Sequence, residues 1–178
     1  MPTPALALLT RELGFDTGIM VTASHNPPEF NGIKVFRWDS FGYSREEEEE
    51  IERAFFTKGF RTAGWEDGGV LTSGDQARES YFRRIAYSLP PQSANHHLKL
   101  LIDPGNGAAS GFVTDLFKSL GFDVTAINNE PDGLFPGRGP EPREDTLKDT
   151  VEFLRRKNAD LASLLESWFS REHSARQS

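Results

Sequence analysis

Apolar and polar positions follow two rhythms along this chain, one helical and one of short continuous runs, and the switches between them mark its elements. Pro4 to Leu13 carries helical spacing, with Thr3 as the expected cap, Pro4 in the first turn and Gly14 as the stop. Thr17 to Thr22 reads as a short buried strand and Gly32 to Phe36 as a second. Between them, Ala23 to Asn31 is rich in Ser, His, Asn and Pro, so a loop is expected. Ser44 to about Lys58 reads as a helix opened by a capping box of Ser44 and Glu47. The glutamates from Glu46 to Glu50 then lie near the helix start, where negative charge favours the positive end of the dipole. Gly59 to Thr72 is irregular, Asp75 to about Ser88 is helical, and Leu89 to Ser93 has the composition of a linker.

The rhythm then restarts. Leu98 to Ile102 is an apolar strand, and Asp103-Pro104-Gly105-Asn106-Gly107 is a tight turn. Ala109, Phe112, Val113, Leu116, Phe117 and Leu120 share one helical face, which Gly121 ends. Phe122 to Ile127 is the next strand. Strand, helix and strand in this order make a βαβ unit, for which a parallel sheet and a right-handed crossover are expected. Asn128 to Pro142 is a long Pro- and Gly-rich loop. Leu147, Val151 and Leu154 mark a last helix ending near Asn158. Beyond it, Leu164, Leu165, Trp168 and Phe169 could extend a helix, and the polar end from Arg171 is expected to fray.

Composition narrows the classes. The chain has 178 residues, 37% hydrophobic and 26% charged, which is enough apolar material for a packed core. It has no cysteine, which excludes a disulfide framework, a Cys-ligated zinc site and a thiol nucleophile, and fits a cytoplasmic location. No apolar run is long enough to span a membrane, and the N-terminus lacks the basic region of a signal peptide. A net charge of -7 argues against a nucleic-acid partner. It leaves phosphorylated small substrates open, because those need only a local cationic pocket.

The chemistry concentrates between Gly18 and Lys34. The strand delivers Ser24 to its C-terminal end, the ligand-binding end in parallel sheets. Asn26, Pro27 and Pro28 make a stiff turn, Gly32 permits close backbone approach, and Lys34 returns as a nearby cation. Ser24 beside His25 invites a hydrolase reading. Adjacent loop residues point to different sides, however, and the G-x-S-x-G elbow is absent. Asp103 is expected to cap the following helix, and Arg138 to be solvated as loop arginines usually are.

Thr22-Ala23-Ser24-His25-Asn26-Pro27-Pro28, followed by Asn31-Gly32 and Lys34, resembles the active-site signature of the α-D-phosphohexomutase superfamily. Leu101-Ile102-Asp103-Pro104-Gly105-Asn106-Gly107-Ala108 is similar to the start of that family's second domain. Pro131-Asp132-Gly133-Leu134-Phe135-Pro136 and Pro140-Glu141-Pro142 are similar to its prokaryotic phosphomannomutase and phosphoglucosamine mutase members. The resemblance implies an α/β fold made of parts of two α/β/α domains with mixed sheets. It places residues 1–88 in the first domain, 89–97 in a linker, 98–161 in the second domain and 162–178 in a divergent tail.

The resemblance also implies an activity: phosphate moves between the 1- and 6-positions of a hexose phosphate through a phosphoserine and a bisphosphate intermediate. Ser24 matches the phosphoserine and Lys34 the general acid/base. His25 matches an active-site contact, and Asn26 a residue shaping the substrate loop. Magnesium is the implied cofactor, with one oxygen from phosphorylated Ser24. The family's Asp-Gly-Asp-x-Asp metal run is absent, and after Asp160-Leu161 the chain reads Ala162-Ser163-Leu164-Leu165 instead. Three metal ligands are therefore expected to be missing, together with the start of the first domain and the third and fourth domains. The expectation is negligible activity for this chain alone. The competing readings are a non-catalytic α/β interaction or phosphate-binding remnant and, more remotely, a serine hydrolase.

Overall fold

A computed structural model of the chain describes residues 1–22, 24, 26–90, 98–165 and 172–176. Helix α1 (Thr3–Glu12) is followed by strands β1 (Thr17–Val21) and β2 (Ile33–Arg37), then by α2 (Arg45–Thr57) and α3 (Asp75–Ser88). The second half holds β3 (Lys99–Asp103), α4 (Phe112–Ser119), β4 (Asp123–Ala126), α5 (Lys148–Lys157), β5 (Leu161–Leu165) and β6 (Glu172–Arg176).

β3 is the centre of a mixed four-stranded sheet in the order β4-β3-β5-β6. β3 runs parallel to β4 and to β5, while β5 and β6 are antiparallel. The parallel β3-α4-β4 unit is the one the sequence pattern predicts. Both faces of β3 are covered. Leu100 and Ile102 pack with Phe112 and Val113 of α4, Tyr81 of α3, and Ala5 and Leu9 of α1. Leu101 faces the other way, against Leu154 of α5, Ala159 and Ala162. That two-sided burial is why β3 reads as a continuous apolar run rather than an alternating one.

Several local expectations change. Thr3 lies inside α1 behind the N-cap residue Pro2, and among the described residues no side chain caps that end and none partners the buried Thr3 hydroxyl. β1 is not a buried strand of a parallel sheet. Among the described residues it pairs only with β2, antiparallel, with Met20 opposite Lys34, and Gly18 is its one buried residue. Gly18 packs against α1, where an added Cβ would lie 2.2 Å from the Thr10 hydroxyl. Leu161 to Leu165 forms a strand where helical spacing left a helix open. Ala162, Leu164 and Leu165 are buried there, so packing against β3 overrides the local pattern.

The capping box of α2 forms as expected: Ser44 N–H donates to Glu47 at 2.7 Å and Glu47 N–H donates to Ser44 Oγ at 3.3 Å. Arg37, at the end of β2, donates to both Glu47 carboxylate oxygens and to Asp39, fastening this helix start to the strand. Hydrogen bonds from Arg37 hold the Asp39 carboxyl below its ordinary range. At Glu47 the bond from the Ser44 backbone is the largest cause of the same shift, with Arg37 adding to it.

Candidate active-site cleft

The serine loop leaves β1 through Thr22, whose N–H donates to Gly32 C=O at 2.8 Å and so closes the base of the loop. Thr22 Oγ1 accepts from Ser24 N–H at 3.1 Å. Gly32 is required at this closure, because an added Cβ would lie 2.9 Å from the Thr22 carbonyl oxygen. Ser24 has a φ of 63°, a left-handed conformation rare for a residue other than glycine. Backbone held in such a region is found disproportionately at ligand sites. The Pro27–Phe30 turn, closed by a 3.0 Å bond from Phe30 N–H to Pro27 C=O, forms the outer part of the loop.

Ser24, Asn26, Pro27 and Phe30 line one wall of an open cleft of about 400 Å³. Asn106 and Gly107, from the turn after β3, and Pro131, Asp132 and Phe135, from the long loop after β4, line the other. The structure thus places the serine motif, the Asp-Pro-Gly-Asn-Gly turn and the Pro-Asp-Gly-Leu-Phe-Pro segment around one space. Lys34 sits elsewhere, in a depression between β2 and α2 that Phe36, Tyr43 and Ile51 also line. His25 lies outside the described residues, as does the part of the expected linker from 91 to 97.

The second wall is held by Asn106, a member of the turn after β3, and by Asp103 and Arg138, for which the sequence predicts a helix cap and a solvated loop residue. Asn106, at a φ of 58°, spends every polar group it has on the loop. Its N–H donates to Asn128 C=O, its Nδ2 to Glu130 C=O, its carbonyl accepts from Asp132 N–H and its Oδ1 from Gly137 N–H. Asp103 does not cap α4. It is fully buried and accepts from Gly105 N–H, Asn128 Nδ2, Thr150 Oγ1 and Arg138 Nε at 2.7 to 3.1 Å. Arg138 is not solvated: its side chain is 1% exposed. A lone carboxylate closing a buried apolar strand is the sequence signal for both, since a buried charge requires a partner.

The implied magnesium does not fit the residues present. Among the described residues, no three His, Asp or Glu side chains are placed to hold a metal ion. The acidic residue lining the cleft is Asp132, and its Oδ1 already accepts from Leu134 N–H at 2.9 Å. No step is therefore derived through a metal.

A sheet layered with helices on both faces, with an open serine-lined cleft beside its turns, defines an α/β protein whose cleft lies between two chain segments. Residues 1–62 match the family described as phosphoglucomutase/phosphomannomutase, alpha/beta/alpha domain I, and residues 79–166 match its domain II. The chain belongs to the phosphoglucomutase/phosphomannomutase family, whose members are mutases. It is 37% identical over 158 residues to a phosphoglucosamine mutase of Methanocaldococcus jannaschii, covering 89% of this chain and 34% of that protein. It is 36% identical over 160 residues to a phosphoglucomutase/phosphomannomutase of Thermococcus kodakarensis, covering 89% and 35%. Among solved structures, a phosphoglucomutase/phosphomannomutase family protein of Burkholderia thailandensis superposes with a TM-score of 0.82 at 25% identity, covering 99% of this chain and 38% of that one. The chain thus spans about a third of the length of the curated relatives it matches. Among the described residues, no helix is long and apolar enough to cross a membrane.

Proposed function

We propose that the chain carries the phosphoserine half of a phosphohexomutase site, the kind of site that moves phosphate between the 1- and 6-positions of a hexose phosphate, and that by itself it does so at a negligible rate. The observation that carries this reading is Ser24, held at a positive φ on the rim of a cleft whose other wall comes from the turns after β3 and β4. Phosphoryl transfer depends on positioning and charge neutralisation more than on covalent chemistry, and a strained, braced serine supplies the positioning. In the proposed step the sugar hydroxyl attacks the phosphorus on Ser24. The new O–P bond forms as the bond to Ser24 Oγ breaks. The hydroxyl proton ends on the released Ser24 Oγ, so the step balances. Lys34, the general acid/base the resemblance implies, lies in the separate depression between β2 and α2 and does not reach the cleft directly, while His25 and Asn26 orient the substrate. The reverse transfer from the bisphosphate's other phosphate restores the phosphoserine.

In this reading residues 1–88 are the first domain's part, 89–97 the linker, 98–161 the second domain's part and 162–178 a divergent tail, in a cytoplasmic protein. The test is mass spectrometry after incubation with glucose 1,6-bisphosphate. Phosphate on Ser24, and none in Ser24→Ala, is the expected result, and an unmodified Ser24 overturns it. The lack of a metal-holding cluster among the described residues favours one second reading, a phosphate-binding remnant without turnover. That reading expects an unmodified Ser24 and a sugar-phosphate affinity unchanged by Ser24→Ala.

A further inference from the structure

The geometry points to Arg138, through Asp103, as the positioning residue that sets the second wall of the cleft opposite Ser24. This inference rests on reading the cleft as a hexose phosphate site, and part of its test is independent of that reading.

The wall has almost no hydrophobic anchor. From Glu130 to Gly137 every residue but Phe135 is exposed, and Leu134 is 78% exposed. Burial of apolar surface therefore does not fix this loop, although Pro131, Asp132 and Phe135 line the cleft. Arg138, immediately after it, is the buried residue that ends the exposed stretch.

Its guanidinium is satisfied at three atoms. Nε donates to Asp103 Oδ2 at 3.1 Å, Nη1 to Gly139 C=O at 3.3 Å, and Nη2 to the carbonyls of Asp103 at 3.0 Å and Leu165 at 2.5 Å. Those last two carbonyls belong to the C-terminal residues of the adjacent parallel strands β3 and β5. One side chain therefore pins the loop to two strand ends at once. The planar fork of arginine makes this possible, whereas a lysine ammonium is a single point of charge. Gly105 makes room: it holds a φ of 58°, and an added Cβ would lie 2.7 Å from Arg138 Cζ. The Asp103 carboxylate completes the post, because its remaining acceptor sites hold Asn128 and Thr150.

A buried ion pair is weak evidence for stability, since replacing both partners together is often nearly neutral, while removing one strands a buried charge. That asymmetry separates positioning from structural support. Arg138→Met alone should melt well below the unaltered chain. The double variant Asp103→Asn/Arg138→Met should recover much of that loss. In the double variant the amides of Asp132 and Gly137 should nevertheless exchange with deuterium about tenfold or more faster, with Leu101 and Ile102 as unaffected controls. Glucose 6-phosphate should bind it about tenfold more weakly.

Arg138→Lys keeps the charge and the fold, and should show the same selective loss of loop protection. Unchanged exchange at Asp132 and Gly137 in either folded variant overturns the inference, as does unchanged glucose 6-phosphate affinity beside a loosened loop. If the unaltered chain does not bind glucose 6-phosphate, the proposed function fails, and amide exchange alone decides the role of Arg138.

Discussion

Asn106 donates from Nδ2 to the carbonyl of Glu130 at 2.9 Å, joining the turn after β3 to the loop that forms the far wall of the cleft. The same residue returns three further bonds to that loop, all from a left-handed backbone. Asn is among the few residues other than glycine that visit this conformation routinely. Asn106→Ala removes both side-chain bonds and adds backbone strain. The expected loss is about 2–3 kcal/mol in urea unfolding. Asn106→Gly keeps the backbone conformation and should lose less, so the two variants separate strain from hydrogen bonding.

Gly18 and Thr10 test the contact between β1 and α1. A Cβ at Gly18 would sit 2.2 Å from Thr10 Oγ1 but 3.4 Å from Thr10 Cβ. Gly18→Ala should therefore destabilise by about 1–3 kcal/mol, the usual range for overpacking. Adding Thr10→Ala removes the clashing oxygen and should restore part of that loss. Additive losses in the double-mutant cycle would contradict the contact.

Leu101 is fully buried between β3 and α5. Leu101→Ala should cost about 2–5 kcal/mol, measured by chemical denaturation. A loss near zero would mean that β3 is not covered on that face.

Acid should loosen the start of α2. Asp39 and Glu47 have carboxyl groups held below their ordinary values of 3.8 and 4.5. A lowered folded-state value contributes stability that is present above the unfolded value and is lost as pH falls through the folded one. The Arg37 guanidinium is raised by the same partners, so its contribution persists at every lower pH until those carboxylates are neutralised. Carboxyl NMR titration of Arg37→Met should therefore show Asp39 and Glu47 titrating at higher pH than in the unaltered chain. Because these groups are half-buried and still reached by solvent, salt should shrink the difference.

Turnover by this chain alone should be negligible. Enzymes draw rate from interactions made in the transition state, and the described residues offer no cluster to neutralise phosphoryl charge with a metal. A coupled assay with glucose 1-phosphate or mannose 1-phosphate and magnesium checks this. Robust conversion would overturn it.

Local chemistry made much of this molecule legible in its sequence. The capping box of Ser44 and Glu47, the β3-α4-β4 unit and the loop bearing Ser24 depend on neighbours close along the chain, where spacing and turn residues carry the information. The family signature likewise lies within Thr22 to Lys34. Other features depend on residues far apart. β1 became one half of an isolated antiparallel pair, and Leu161 to Leu165 became a strand because β3 offered it an edge and a core. Asp103 and Arg138, separated by 35 positions, read as a helix cap and a solvated loop residue, and the fold buries both. Burial is a property of the assembled structure, and it decides whether a charge is solvated or must find a partner. The sequence by itself determined which residues could do chemistry; tertiary structure decided which wall they face and what holds that wall in place.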